Sequence, residues 1–135
     1  MQAYWIIALT CCLSLPALAE AEHPLLLGYA VQAREQEPKF AGFSAERGKA
    51  LYFAQEQRGS KLMSCTSCHT DDPRQPGKTP AKRKVEPLAP SANPKRFTDL
   101  EKVEKWFRRN CDDVYARECT AQEKGDFISW INSIQ

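Results

Sequence analysis

The chain has 135 residues, 27% charged and 42% hydrophobic, with a formal net charge of +2. That length suits one domain with a tail and is too short for two full cores. The near-balanced charge argues against a nucleic-acid binder that works by overall attraction, and six cysteines point to a disulfide framework, a metal site or a covalently held cofactor.

Residues 1–19 contain no Lys, Arg, Asp or Glu. An apolar run from Trp5 through Leu13 and Leu15 is broken by Pro16, and Ala17-Leu18-Ala19 has the small-x-small form of a signal-peptidase site. This order of features predicts a secretory signal peptide cut after Ala19, in preference to a buried N-terminal helix. A lipoprotein anchor at Cys11 or Cys12 is disfavoured, since neither follows Gly, Ala or Ser. Export places the remaining chain in the periplasm, where an oxidising environment permits disulfides. No later apolar run is long enough to span a bilayer. Cleavage removes Cys11 and Cys12 and leaves Cys65, Cys68, Cys111 and Cys119.

Residues 20–43 read as an N-terminal extension with a short helix, and 44–135 as the main domain. Pro24 opens the first helix, which carries Leu25, Leu26, Tyr29, Ala30 and Ala33 at spacings of three and four, and Pro38 ends it. Ser44 can cap a second helix with Leu51, Tyr52 and Phe53. Gly48 inside that helix weakens it and so marks a close contact with another helix. Prolines at 76, 80, 87, 90 and 94 exclude a continuous helix and give a long loop that must pack against something. Thr98-Asp99-Leu100-Glu101 and Thr120-Ala121-Gln122-Glu123 are capping boxes. The first opens a helix with Leu100, Val103, Trp106 and Phe107; the second opens one with Phe127, Trp130, Ile131 and Ile134 on one face. No strand alternation is evident, so the fold class is all-α, with about four helices and a long Pro-rich loop.

Cys65-Thr66-Ser67-Cys68-His69 is a C-x-x-C-H sequence. Two thiols at this spacing can add to the two vinyl groups of haem, and the adjoining histidine then serves as an axial iron ligand. A thioredoxin-like redox pair would need a βαβ context that is absent. A zinc site completed by Cys111 and Cys119 would lack the compact spacing zinc prefers. One C-x-x-C-H implies one covalent haem c, which also gives a small helical chain a large apolar object to surround.

The second axial position has few candidates. Met63 lies two residues before Cys65 and is tethered to the attachment segment; His23 lies near the start of the exported chain. Asn110 shares a helix face with Val103, Trp106 and Phe107. It is either a weak amide-oxygen donor to ferric iron or an ordinary asparagine near a helix end. A disulfide between Cys111 and Cys119 is expected in an oxidising compartment and would fix the end of the Asn110 helix.

Several segments together resemble the sphaeroides-haem-protein type of c cytochrome. They are Lys49 to Phe53, Cys65-x-x-Cys68-His69, Pro87-Leu-Ala-Pro-Ser-Ala-Asn-Pro, Arg96-Phe-Thr-Asp, Val103-Glu-Lys-Trp-Phe-Arg-Arg-Asn-Cys and Arg117-Glu-Cys-Thr-x-x-Glu-Lys. The likeness runs from about Glu46 to the C-terminus. It implies a class I cytochrome c-like fold modified on the distal side. It implies that Asn110 is an axial ligand displaced on reduction or on binding a small molecule, and that Cys111 and Cys119 form a disulfide beside it. It further implies high-spin iron, binding of oxygen and nitric oxide, and electrons received from a partner cytochrome, a di-haem or membrane one.

Trp106 and Phe107 are expected to wall the haem, with Trp130, Phe127 and Leu51 in the core. Lys102, Lys105, Arg108 and Arg109 lie close on one helix, and Lys82, Arg83, Lys84, Lys95 and Arg96 line the Pro-rich stretch. These form a solvated surface, a docking face for an acidic redox partner, or partners for haem propionates, with Arg96 as the candidate. Two function classes follow: an electron-accepting, ligand-binding module, or a haem enzyme that reduces oxygen or a nitrogen oxide. No spare histidine near the motif supplies a distal acid or base, which favours the first. A plain low-spin electron carrier comes third, because no methionine is placed to saturate the iron.

Overall fold

The computed structural model describes residues 23–135; the expected leader 1–19 lies outside them. Helix α1 spans Pro24–Gln36 and α2 spans Ala45–Phe53. A one-turn helix α3, Thr66–His69, follows, then α4, Leu100–Tyr115, and α5, Ala121–Asn132. Between them lie two small antiparallel hairpins: β1 (Glu56–Arg58) with β2 (Lys61–Met63), and β3 (Gly77–Lys78) with β4 (Lys84–Val85). The fold is helical, as the periodicity predicts. The hairpins were not foreseen, because strands of two or three residues are too short to show an alternation.

The helix boundaries follow local chemistry. Pro24 sits in the first turn of α1, and His23 caps it, its Nδ1 accepting from the Leu25 N–H at 3.3 Å. Ser44 caps α2, its hydroxyl accepting from the Arg47 N–H at 3.2 Å. Thr120 and Glu123 form the expected reciprocal capping box of α5. At α4 the expectation needs correcting. Asp99 is the cap, accepting from the Lys102 N–H at 3.0 Å, while the Thr98 hydroxyl turns back to the Lys95 carbonyl at 3.0 Å. A carboxylate one residue nearer the helix is the better acceptor for the positive end of its dipole.

The core forms where α1 and α2 pack on α5. Tyr29, Tyr52, Ile128 and Ile131 are fully buried, with Phe127 and Trp130 beside them. At the α2–α5 crossing, a Cβ on Gly48 would lie 2.0 Å from the Asp126 carbonyl oxygen, so this glycine does mark a helix contact. The Asp126 carboxylate is buried at the same crossing. It accepts from the Ser44 N–H at 2.7 Å and from Arg47 Nε and Nη2 at 2.7 and 2.8 Å. One acidic side chain thus satisfies both the open start of α2 and the cation beside it.

The Pro-rich stretch is ordered by what it touches. The Leu88 and Ala89 N–H groups both donate to the Pro73 carbonyl, at 2.8 and 2.9 Å, and both residues are buried. Arg96 grips the loop from the other side, donating to the Pro87 carbonyl at 2.8 Å and the Glu86 carbonyl at 2.6 Å.

Candidate functional site

The C-x-x-C-H residues wind into a single turn. Cys65 stands at the start of α3, and its carbonyl accepts from the N–H groups of Cys68 (3.3 Å) and His69 (3.0 Å). A spacing of three puts both thiols on one side of the turn. Hydroxyls fix the entry: Ser67 Oγ accepts from the Ser64 N–H at 3.0 Å, and Ser64 and Thr66 hydroxyls meet at 2.6 Å. Thr70 ends the turn at φ +65°, a conformation a β-branched residue adopts only at a cost of about 1–3 kcal/mol. It is held there by the Tyr52 hydroxyl, which donates to the Thr70 carbonyl at 2.7 Å. Behind the turn, a Cβ on Gly77 would lie 1.8 Å from the Cys68 carbonyl oxygen, so the first strand of the second hairpin can approach only as glycine.

Burial, with the positive charge of Arg96 added, pushes the His69 pKa down to about 4. The imidazole is therefore neutral at physiological pH and keeps a lone pair for a metal. Arg96 thus stands on the His69 side, with two of its donors committed to backbone carbonyls. Its expected propionate role would fall to the remaining guanidinium edge.

Tyr115, the last residue of α4, was not picked out by sequence reasoning. Its hydroxyl donates to the Leu51 carbonyl of α2 at 2.6 Å and lies 3.6 Å from Cys65 Sγ. On the same helix end, the negative charge of Asp113 acts on Cys68, after burial, to push its thiol up. The C-terminal turn of α4 therefore lies against the attachment segment. Arg58 on β1 braces it further, donating to the carbonyls of Asp113 at 3.3 Å and Asp112 at 3.2 Å. The available sequence signal was the spacing of Tyr115 four residues after Cys111, but nothing in it reveals the partner 64 positions away.

Asn110 is half-buried on α4, one turn before Asp113 and Val114. It shares the helix with Phe107, whose ring packs edge-on against Phe127 at 5.6 Å. Trp106 is 42% exposed, with the Arg109 guanidinium 5.2 Å from its ring centre. Val103 takes the buried place on that side of α4. Cys111 and Cys119 are joined directly after Asn110 and are buried at 4% and 7% exposure. Met63 ends β2, two residues before Cys65, and His23 caps α1 through its Nδ1.

The donor set discriminates among the readings of the motif. Cys65 and Cys68 are unpaired, and burial first of all pushes both thiols up, the opposite of the lowered thiol a dithiol redox centre uses. A four-cysteine zinc site is not assembled, because the other two cysteines are joined to each other. Among the described residues no three His, Cys, Asp or Glu side chains converge on a metal-sized space. Two free thiols three apart, a neutral histidine next to them and a helical shell fit covalent haem. They define the class: a c-type cytochrome with one attachment site.

A family model described as "Domain of unknown function (DUF1924)" matches residues 38–131. The chain is 43% identical over 119 residues to the cytochrome c-type protein SHP of Cereibacter sphaeroides, covering 86% of this chain and 88% of that protein. It is 36% identical over 109 residues to cytochrome c'' of Methylophilus methylotrophus, covering 79% and 76%. Oxidised cytochrome c'' superposes with a TM-score of 0.74 at 34% identity, over 81% of this chain and 90% of that one. Oxidised SHP gives 0.70 at 41%, over 79% and 91%. The chain belongs to this family, the sphaeroides-haem-protein type of c cytochromes, and haem c is its covalent cofactor. Cys65, Cys68 and His69 of the C-x-x-C-H turn are the residues that could hold it.

The disulfide gives the first testable consequence. Replacing Cys111 and Cys119 together by alanine is expected to lower stability by about 2.5 kcal/mol, the loop-closure value for a bridge of this short span. The denaturant midpoint of the haem-loaded variant measures it.

Proposed function

We propose that this chain is an exported, periplasmic cytochrome that accepts electrons and reversibly binds a diatomic ligand, oxygen or nitric oxide, at the iron face served by Asn110. The reading rests on the placement of Asn110: half-buried, next to the Cys111–Cys119 bridge, one turn from the helix end whose Tyr115 lies against Cys65. An amide oxygen is a weak neutral donor, adequate for ferric iron and easily given up by ferrous iron. A side chain of that kind supplies no proton at neutral pH, which favours binding over catalysis.

The relatives support the reading. One solved structure is described as that of an oxygen-binding cytochrome c, and another addresses haem-ligand detachment. Bound haem would supply the redox-active iron; Cys65 and Cys68 would attach it, and His69 and Asn110 would be the protein's donors to it. Lys102, Lys105, Arg108 and Arg109 are all exposed on α4 and offer a cationic face to an acidic redox partner, a di-haem or membrane cytochrome.

Visible spectra of wild-type and Asn110→Ala holoprotein test the ligand assignment. The ferric spectra are expected to differ and the ferrous spectra to agree, with ferric nitric oxide binding faster in the variant. Identical ferric spectra would show that Asn110 does not reach the iron.

A further inference from the structure

Helix α1 lies outside the residues matched by the family model, which begin at 38. Yet one of its side chains reaches the helix that carries Asn110. Tyr29 is 1% exposed, and its hydroxyl donates to Glu104 Oε1 on α4. The other oxygen of Glu104 accepts from Lys124 Nζ of α5 at 2.7 Å. The Lys124 ammonium lies 5.6 Å from the Tyr29 ring centre and 6.0 Å from that of Phe107. The Phe107 ring meets Tyr29 edge-on at 6.3 Å. Three helices thus meet at one polar point wrapped in aromatic rings.

Apolar residues of the same volume would hold three helices together at least as well as a half-buried ion pair. What the ion pair adds is direction. Glu104 takes one donor from α1 and one from α5, and both bonds form at one rotational setting of α4. Phe107 lies one turn further along and Asn110 about 9 Å along the axis, so a rotation at Glu104 is carried to both. We propose that Tyr29, Glu104 and Lys124 are positioning residues that set the rotation of α4 and thereby how readily Asn110 leaves the iron. The proposal rests on the assignment of Asn110 as the labile ligand.

The test uses holoprotein carrying Tyr29→Phe, which keeps the ring and removes the hydroxyl, in both the Asn110 and the Asn110→Ala backgrounds. The readouts are the ferric spectrum, the rate of nitric oxide binding to ferric protein, and thermal stability. With Asn110 present, the rate is expected to rise about three- to tenfold, inside the range such coupling networks give. In the Asn110→Ala background the same substitution is expected to leave the rate unchanged. A lowered stability with an unchanged rate would reduce the cluster to a structural brace and overturn the proposal. So would an equal change in both backgrounds, which would place the effect on the haem itself. If wild-type and Asn110→Ala ferric spectra agree, the ligand assignment has failed first, and this inference with it. Should Tyr29→Phe not yield folded holoprotein, Lys124→Gln carries the same comparison from the α5 side.

Discussion

Replacing Cys65 and Cys68 together by serine is expected to leave no haem attached to the denatured chain. The attachment turn places these two thiols one helical turn apart, unpaired, beside a neutral His69. A serine hydroxyl does not form the thioether, so any haem in the variant would be held by packing and by His69 alone. Haem staining on a denaturing gel reads the outcome directly: strong for wild type, absent for the double variant. Retained stain would mean that the covalent link lies elsewhere. Single variants should each retain one thioether and a weaker, spectrally shifted haem band. The two positions are also unequal. Cys65 lies against Tyr115 and is the more enclosed, whereas Cys68 is less buried and is bordered by the hairpin at Gly77.

Gly48→Ala is expected to lower stability by about 2–3 kcal/mol, although alanine is the better helix former by about 1 kcal/mol. The added methyl would sit 2.0 Å from the Asp126 carbonyl oxygen and 2.4 Å from its carbon. These are backbone atoms of α5, so no side chain can turn aside; α2 and α5 must separate. Separation also stretches the Asp126 bonds to Ser44 and Arg47. Gly28→Ala is the matched control. It lies inside α1 with nothing within 4 Å of its added Cβ, and should raise stability by about 0.5–1 kcal/mol. Denaturant unfolding of the two variants beside wild type measures both signs. A shift of the same sign at both positions would mean that helix propensity, not the crossing, decides.

Much of the candidate site was legible before the fold, because its parts are short in sequence. Cys65, Cys68 and His69 fall within five residues, and Asn110, Cys111 and Cys119 within ten. Patterns of that length carry their own geometry: a turn of helix, a helix end, a short bridge. The Ser44 and Thr120 caps and the Gly48 contact could be read for the same reason. The cap at α4 was misplaced by one residue, since Thr98 and Asp99 are both good caps and the choice depends on what the loop offers Thr98. On α4 the same apolar spacing holds Val103, which is buried, and Trp106, which lies against Arg109. Apolar spacing marks a face of a helix, but not which edge of that face meets its neighbours.

The amino-acid sequence by itself determined the covalent chemistry: two thiols and an imidazole at fixed spacing, a second cysteine pair beside Asn110, and helices with their own start signals. Covalent spacing and local capping are nearest-neighbour properties, so they survive without knowledge of the fold. Only the tertiary structure decided how α4 is held. Tyr115 ties its end to Leu51 and Cys65, and Tyr29 and Lys124 converge on Glu104 near its start. Tyr29 and Glu104 stand 75 positions apart, and Tyr115 and Leu51 stand 64 apart. Such contacts exist only once α1, α2 and α5 have closed around a shared core, because no local rule brings a tyrosine to one particular carboxylate or carbonyl across that length of chain.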